Sequence, residues 1–153
     1  MIDSIFIACG RGLPPTEVKE VELVAGKGIV GDRNFGKDTW PGQNITFIEA
    51  EEIESFNATY DRSVARSDPR RNVVTRSVRL NELVGKRFSI GGVEFYGVEL
   101  CEPCKSLGTR LGSDAMSSAQ VVRAWVHKGG LRADVLSNGT IRVGMRFHVE
   151  SSA

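Results

Sequence analysis

Apolar residues in this chain fall mostly at alternate positions, in short runs closed off by Gly, Pro or Asn. That pattern predicts many short β-strands and few helices. Ile2-Asp3-Ser4-Ile5-Phe6-Ile7 reads as a first strand. Glu17 to Val24 places Val18, Val21 and Leu23 among charged neighbours with one slip in phase, which predicts a half-buried strand with a bulge. Further strands are expected at Asn44–Ile48 and Asn72–Thr75. Phe88 to Leu100 forms a hairpin signal about Gly91-Gly92, and Leu131–Leu136 and Thr140–Val149 pivot on Asn138-Gly139, the strongest turn signal present. Two helices are expected. A short one spans Glu49–Phe56, with Ile53 and Phe56 on one face, and a longer one spans Asp114–Lys128 and ends at Gly129-Gly130. The longer helix should pack through Val122, Trp125 and Val126. Between strands, Gly26 to Gly42 is a long loop rich in Gly and Asp, of a kind that often carries function. The fold class expected is mostly β: an antiparallel β-barrel with one or two peripheral helices. No repeat or linker divides residues 1–153, so one domain is expected.

Charge narrows the function. The net charge of +1 gives no reason to expect a nucleic-acid or membrane partner. No apolar run approaches the ~20 residues that span a bilayer. Met1 to Gly10 has no basic, apolar leader pattern. Three cysteines, an odd number, argue against a disulfide framework and for a reducing, cytoplasmic setting.

The chemistry concentrates at Cys101-Glu102-Pro103-Cys104, directly after the predicted hairpin. A thiol at a strand end stands at the rim of a barrel, and Lys105 and Arg110 nearby favour its thiolate. Thiolate is the nucleophile, and it is also the form that ligates a soft metal. Cys104 therefore reads as reactive or ligating. Cys101 continues the strand pattern and reads as buried, and Cys9 reads as structural. A structural zinc site needs four ligands, and His127 and His148 have no ligand spacing. A thioredoxin-like pair belongs at a helix start after a βαβ unit, not after a hairpin. Between Arg62 and Arg79 lie six Arg against the single acid Asp68, including Arg70-Arg71-Asn72-Val73-Val74-Thr75-Arg76. Arg suits bidentate phosphate binding, although a solvated basic edge would look the same. Gly26-Lys27-Gly28-Ile29-Val30-Gly31-Asp32-Arg33 lacks the ending of a phosphate loop and reads as a tight turn, with Asp32 and Arg33 free to line a site.

The order of these segments resembles the MOSC family, named after the C-terminal domain of molybdenum-cofactor sulfurase. The matching stretches are Gly28–Arg33, Gln43–Glu49, Arg71–Arg76, Leu80–Gly91, Leu100–Cys104, Gly130–Leu136 and Gly139–Gly144, nearly the whole chain in order. The resemblance implies a β-barrel-centred fold of the pyruvate-kinase-barrel type. It implies a cysteine, here Cys104, that carries sulfur or ligates molybdenum. It also implies that Arg33, Arg71, Asn72, Arg76 and Lys105 hold the phosphate of a molybdenum–molybdopterin cofactor. A sulfur donor or electron-transfer protein would be the partner, and a small molecule, such as an N-hydroxylated compound, the substrate. A non-catalytic cofactor carrier is the alternative. Pyridoxal phosphate is not expected, since in the sulfurase it belongs to a separate, larger domain.

Overall fold

A computed structural model describes residues 1–150. The strands are β1 (Ile2–Ile7), β2 (Thr16–Val18), β3 (Glu20–Val24), β4 (Gly28–Ile29), β5 (Ile45–Glu49), β6 (Val73–Thr75), β7 (Arg87–Ile90), β8 (Val93–Leu100), β9 (Leu131–Val135), β10 (Gly139–Arg142) and β11 (Phe147–Val149). The helices are α1 (Ala50–Tyr60), α2 (Lys105–Leu111) and α3 (Ser118–Ala124). Eight strands form one sheet in the order β11-β7-β8-β9-β5-β6-β1-β2, and β10-β3-β4 form a second.

The large sheet curls into a half-barrel that stays open and mixed, which corrects the expected antiparallel barrel. The parallel pair is β5 with β6, in register Phe47↔Val73 and Ile48↔Val74. Its cause is α1, which follows β5 directly and returns the chain so that β6 enters in the same direction.

Two apolar cores lie on opposite faces of this sheet. Alternation along β1, β5 and β6 sends Ile5, Phe47 and Val73 to one core and Phe6, Ile48 and Val74 to the other. That is why these strands read as nearly unbroken apolar runs. The first core lies within the curl, where Phe47 meets Phe88, Phe95 and Phe147 edge-on, each at 5.8 Å. The second joins the outer face to the helices through Ile53, Phe56, Leu107, Leu111, Val121 and Trp125.

Several local expectations change. The phase slip in Glu17–Val24 is a break between strands of different sheets, β2 on β1 and β3 on β10. Asn138-Gly139 does turn the chain, but the following strand leaves β9 and pairs with β3, in register Gly139↔Leu23. The Asn138 side chain accepts the Ala25 N–H at 2.8 Å, tying the turn to the second sheet. The Gly91-Gly92 hairpin forms as expected, both residues at positive φ.

The expected Asp114–Lys128 helix is shorter. Ser117 caps α3 in a reciprocal box with Gln120, which starts the helix after Asp114. Val121 and Trp125 face the core, Val122 is partly covered and Val126 is exposed, so the packing stripe lies one residue earlier than expected. An additional helix, α2, occupies the segment after Cys104. Leu107 and Leu111, four apart and both buried, carry it.

Candidate functional site

Cys104 is the N-cap residue of α2, with extended backbone, and its thiol is exposed. Pro103 precedes it, and β8 ends at Leu100, so the thiol stands at the rim of the half-barrel as expected. The backbone N–H groups that open a helix lack intrahelical partners and favour a negative charge at the cap. Here the N–H of Leu107 is the largest influence holding the Cys104 thiol below the ordinary range, against a smaller opposing effect of burial. The N–H of Ser106 and the guanidiniums of Arg110 and Arg71 act in the same direction. These N–H groups face the sulfur without reaching full hydrogen-bonding geometry. Lys105 is exposed on the first turn of α2 and lines neither of the arginine cavities described below.

Cys101 differs in kind. It is 1% exposed, and burial pushes its thiol up. Its N–H donates to the Gly130 carbonyl at 2.8 Å, so it serves the framework. Cys9, expected to be structural, is exposed. Iodoacetamide should therefore label Cys104 ahead of Cys101. The Cys104 rate should climb with pH through a midpoint below the usual thiol range. Mass spectrometry of partially labelled protein reads the order directly, and prior labelling of Cys101 would contradict this site.

On the same side lies a polar cleft of about 550 Å³ lined by Arg33, Arg70, Arg71, Arg132, Asp32 and Asn72, among others. Four guanidiniums face one carboxylate. Asp32 is buried and its oxygens accept the N–H groups of Ala8 (3.0 Å) and Asn34 (3.2 Å), which fixes the loop that delivers Arg33. Asn72 cross-links three strands. Its Oδ1 accepts the Thr46 N–H and hydroxyl, each at 3.1 Å, and its Nδ2 donates to Phe6 O. The Asn72 amide thus braces the cleft floor more than it offers itself to a ligand. Arg71 is aimed by two carbonyls, Nε to Gly129 O at 2.9 Å and Nη1 to Pro69 O at 3.2 Å. Gly129 lets its own backbone pass close to the Cys101 carbonyl, with which a Cβ there would collide.

The structure brings Arg33, Arg71 and Asn72 together, as expected, but not Arg76. Arg76 lies past the other end of β6, about 13 Å along the strand from Asn72. It pairs there with Glu54 at 3.0 Å and with Asp3 at 3.6 Å. Neighbouring carboxylates on α1 and β1 capture it. Arg132 is a lining residue that sequence reasoning missed, and Arg70, though part of the cationic run, was not assigned to the site. Arg132 is legible in the alternation of β9, where Leu131, Ala133 and Val135 are buried and Arg132 faces the other way. Arg70 is not, because its place depends on a left-handed backbone, φ +60°.

The sequence matches the MOSC domain family over residues 31–148. The chain belongs to the MOSC domain family. Comparison with curated proteins gives no match. Among solved structures, the YuaD protein from Bacillus subtilis superposes with a TM-score of 0.84 at 18% identity, covering 99% of this chain and 96% of that one. YiiM from Escherichia coli gives 0.70 at 17% identity, covering 99% of this chain and 70% of that one. YiiM from Geobacillus stearothermophilus gives 0.73 at 14%, covering 99% and 76%. These likenesses establish that the MOSC domain shares their fold.

The donor set fits a phosphate-bearing molybdenum–pterin group. Arg33, Arg71 and Arg132 supply bidentate donors for phosphate, and Cys104 supplies a thiolate suited to a soft metal. Among the described residues, no three His, Cys, Asp or Glu are gathered around a common point.

Proposed function

We propose that this MOSC domain binds a phosphate-bearing molybdenum–pterin cofactor, with Cys104 as the protein's ligand to the metal. The observation that carries this reading is the pairing of an exposed thiol, its pKa held down, with a cleft of four arginines. When bound, the group supplies redox chemistry toward a small substrate such as an N-hydroxylated compound, with electrons arriving from another protein. The chain's own residues bind and orient. Arg33, Arg71 and Arg132 take the phosphate, Asn72 and Asp32 hold the cleft walls, and the opening turn of α2 favours the Cys104 thiolate.

Protein from a host that makes the cofactor should carry molybdenum and pterin near one per chain, by elemental analysis and pterin fluorescence. Arg33→Ala and Arg71→Ala should each lower pterin retention by roughly tenfold, the loss of one charge-assisted bond. Arg33 is the cleaner probe, because Arg71 also braces Gly129 and Pro69. Purified protein with neither metal nor pterin would sink the cofactor reading.

A second reading has its own support. Cys104 is exposed while Cys101, three residues earlier, is buried. Such a thiol suits sulfur carriage. The Cys104 thiolate attacks the outer sulfur of a donor persulfide, a new S–S bond forms, and the donor thiolate leaves. Cyanide-releasable sulfur on protein free of molybdenum would favour it.

A further inference from the structure

Beside the arginine cleft runs a groove of about 660 Å³, lined by Pro14, Pro15, Ser67, Asp68, Arg70 and Arg110, among others. We propose that this groove is a second anion subsite, so that the domain takes two anionic groups, one on Arg33, Arg71 and Arg132 and one between Arg70 and Arg110. The inference rests on the reading of the first cleft as a phosphate site and extends it to the class of ligand.

Geometry makes the two sites continuous. Arg70 and Pro15 line both. The Pro69 carbonyl accepts from Arg71 Nη1 at 3.2 Å and from Arg110 Nη2 at 3.4 Å, so one oxygen holds a guanidinium of each site. Arg70 is held by its own bond to Leu13 O at 2.7 Å. It sits in a left-handed conformation that costs a non-glycine residue energy and that persists where surroundings enforce it.

Charge points the same way. Some arginines elsewhere are matched, as Arg66 and Arg76 are by Asp3 and Glu54. Among the described residues, no carboxylate lies within salt-bridge distance of Arg33, Arg70, Arg71 or Arg110. Asp68 lines the groove, but its carboxylate accepts the Ala65 N–H at 2.7 Å and closes its own turn. Partial burial lowers the proton affinity of Arg110 first, then Arg71 and Arg70, with the Cys104 thiol opposing them. A second anion relieves that repulsion.

Titration calorimetry of the whole chain with inorganic phosphate and with pyrophosphate at low salt tests this. Pyrophosphate should bind once per chain and at least about tenfold tighter than phosphate, one added charge-assisted contact. Arg110→Ala should remove that advantage and leave phosphate affinity within about twofold. Arg110→Lys should keep part of it. Arg110 is exposed and makes one long bond, to Pro69 O, so the variants should fold, as circular dichroism would verify. Two phosphates per chain, the second lost in Arg110→Ala, would equally support the subsite and would assign it to a separate anion, not a diphosphate. A pyrophosphate advantage that survives Arg110→Ala overturns the subsite, as does its absence, unless two phosphates bind. Phosphate binding that Arg33→Ala weakens shows the first cleft intact in that event. No binding of either probe overturns both.

Discussion

Cys104→Ser is expected to strip the domain of bound molybdenum and of cyanide-releasable sulfur, at least roughly a hundredfold below wild type. Changes to groups that merely orient metal ligands already cost 10- to 100-fold, and removing the ligand itself should cost no less. Serine keeps the size of the side chain, and its oxygen can cap α2 at least as well as sulfur. The thiol is exposed, so no cavity opens. The unfolding free energy should stay within about 0.5 kcal/mol of wild type. The paired readout matters. Lost loading with an unchanged denaturation midpoint locates the chemistry at Cys104, whereas full loading of the serine variant would remove it from the site altogether.

The largest effect on stability is expected at Phe47→Ala. Phe47 is fully buried and lies edge-on to three other rings within the curl of the sheet. Truncation there should cost about 3–5 kcal/mol, the transfer of the ring plus the cavity left behind. That is a large part of the 5–15 kcal/mol typical of a domain. Phe147, on the edge strand β11 and only partly buried, should cost under about 2 kcal/mol when truncated. Urea unfolding of both variants measures the contrast. Equal losses would mean that the core is not centred on β5. Because β5 also carries Thr46, which braces Asn72, Phe47→Ala should loosen the cleft as well.

Much of this was legible in the sequence because strands announce themselves locally. β1 falls where alternation and β-branched residues place it, and the Gly91-Gly92 hairpin needs only two glycines able to take positive φ. What was not legible depends on partners far along the chain. Asn138-Gly139 has the chemistry of a hairpin turn, yet Ile141 is buried in register with Val21, so the strand goes to the second sheet. The parallel β5–β6 pair follows from where α1 returns the chain, which no local pattern states. The site shows the same division. Cys104 was marked by its position at a strand end, beside Pro103 and Lys105. Arg76 has the same composition and a similar sequence setting to Arg71, and the carboxylates of Asp3 and Glu54 separate their fates.

The bond from Cys101 N–H to Gly130 O means that the chain leaves the sheet after β8 and comes back to the same spot at β9. Everything between, residues 102–129, is one excursion. It carries Cys104, Arg110 and both small helices, while Arg33, Arg71 and Arg132 stay with the strands and the loops between them. In engineering terms the domain is therefore a chassis with a replaceable cassette. Another cassette of the same end-to-end span could install a different reactive group over the same arginines, provided that it presents leucine- and tryptophan-sized side chains to Phe6, Ile48 and Val74.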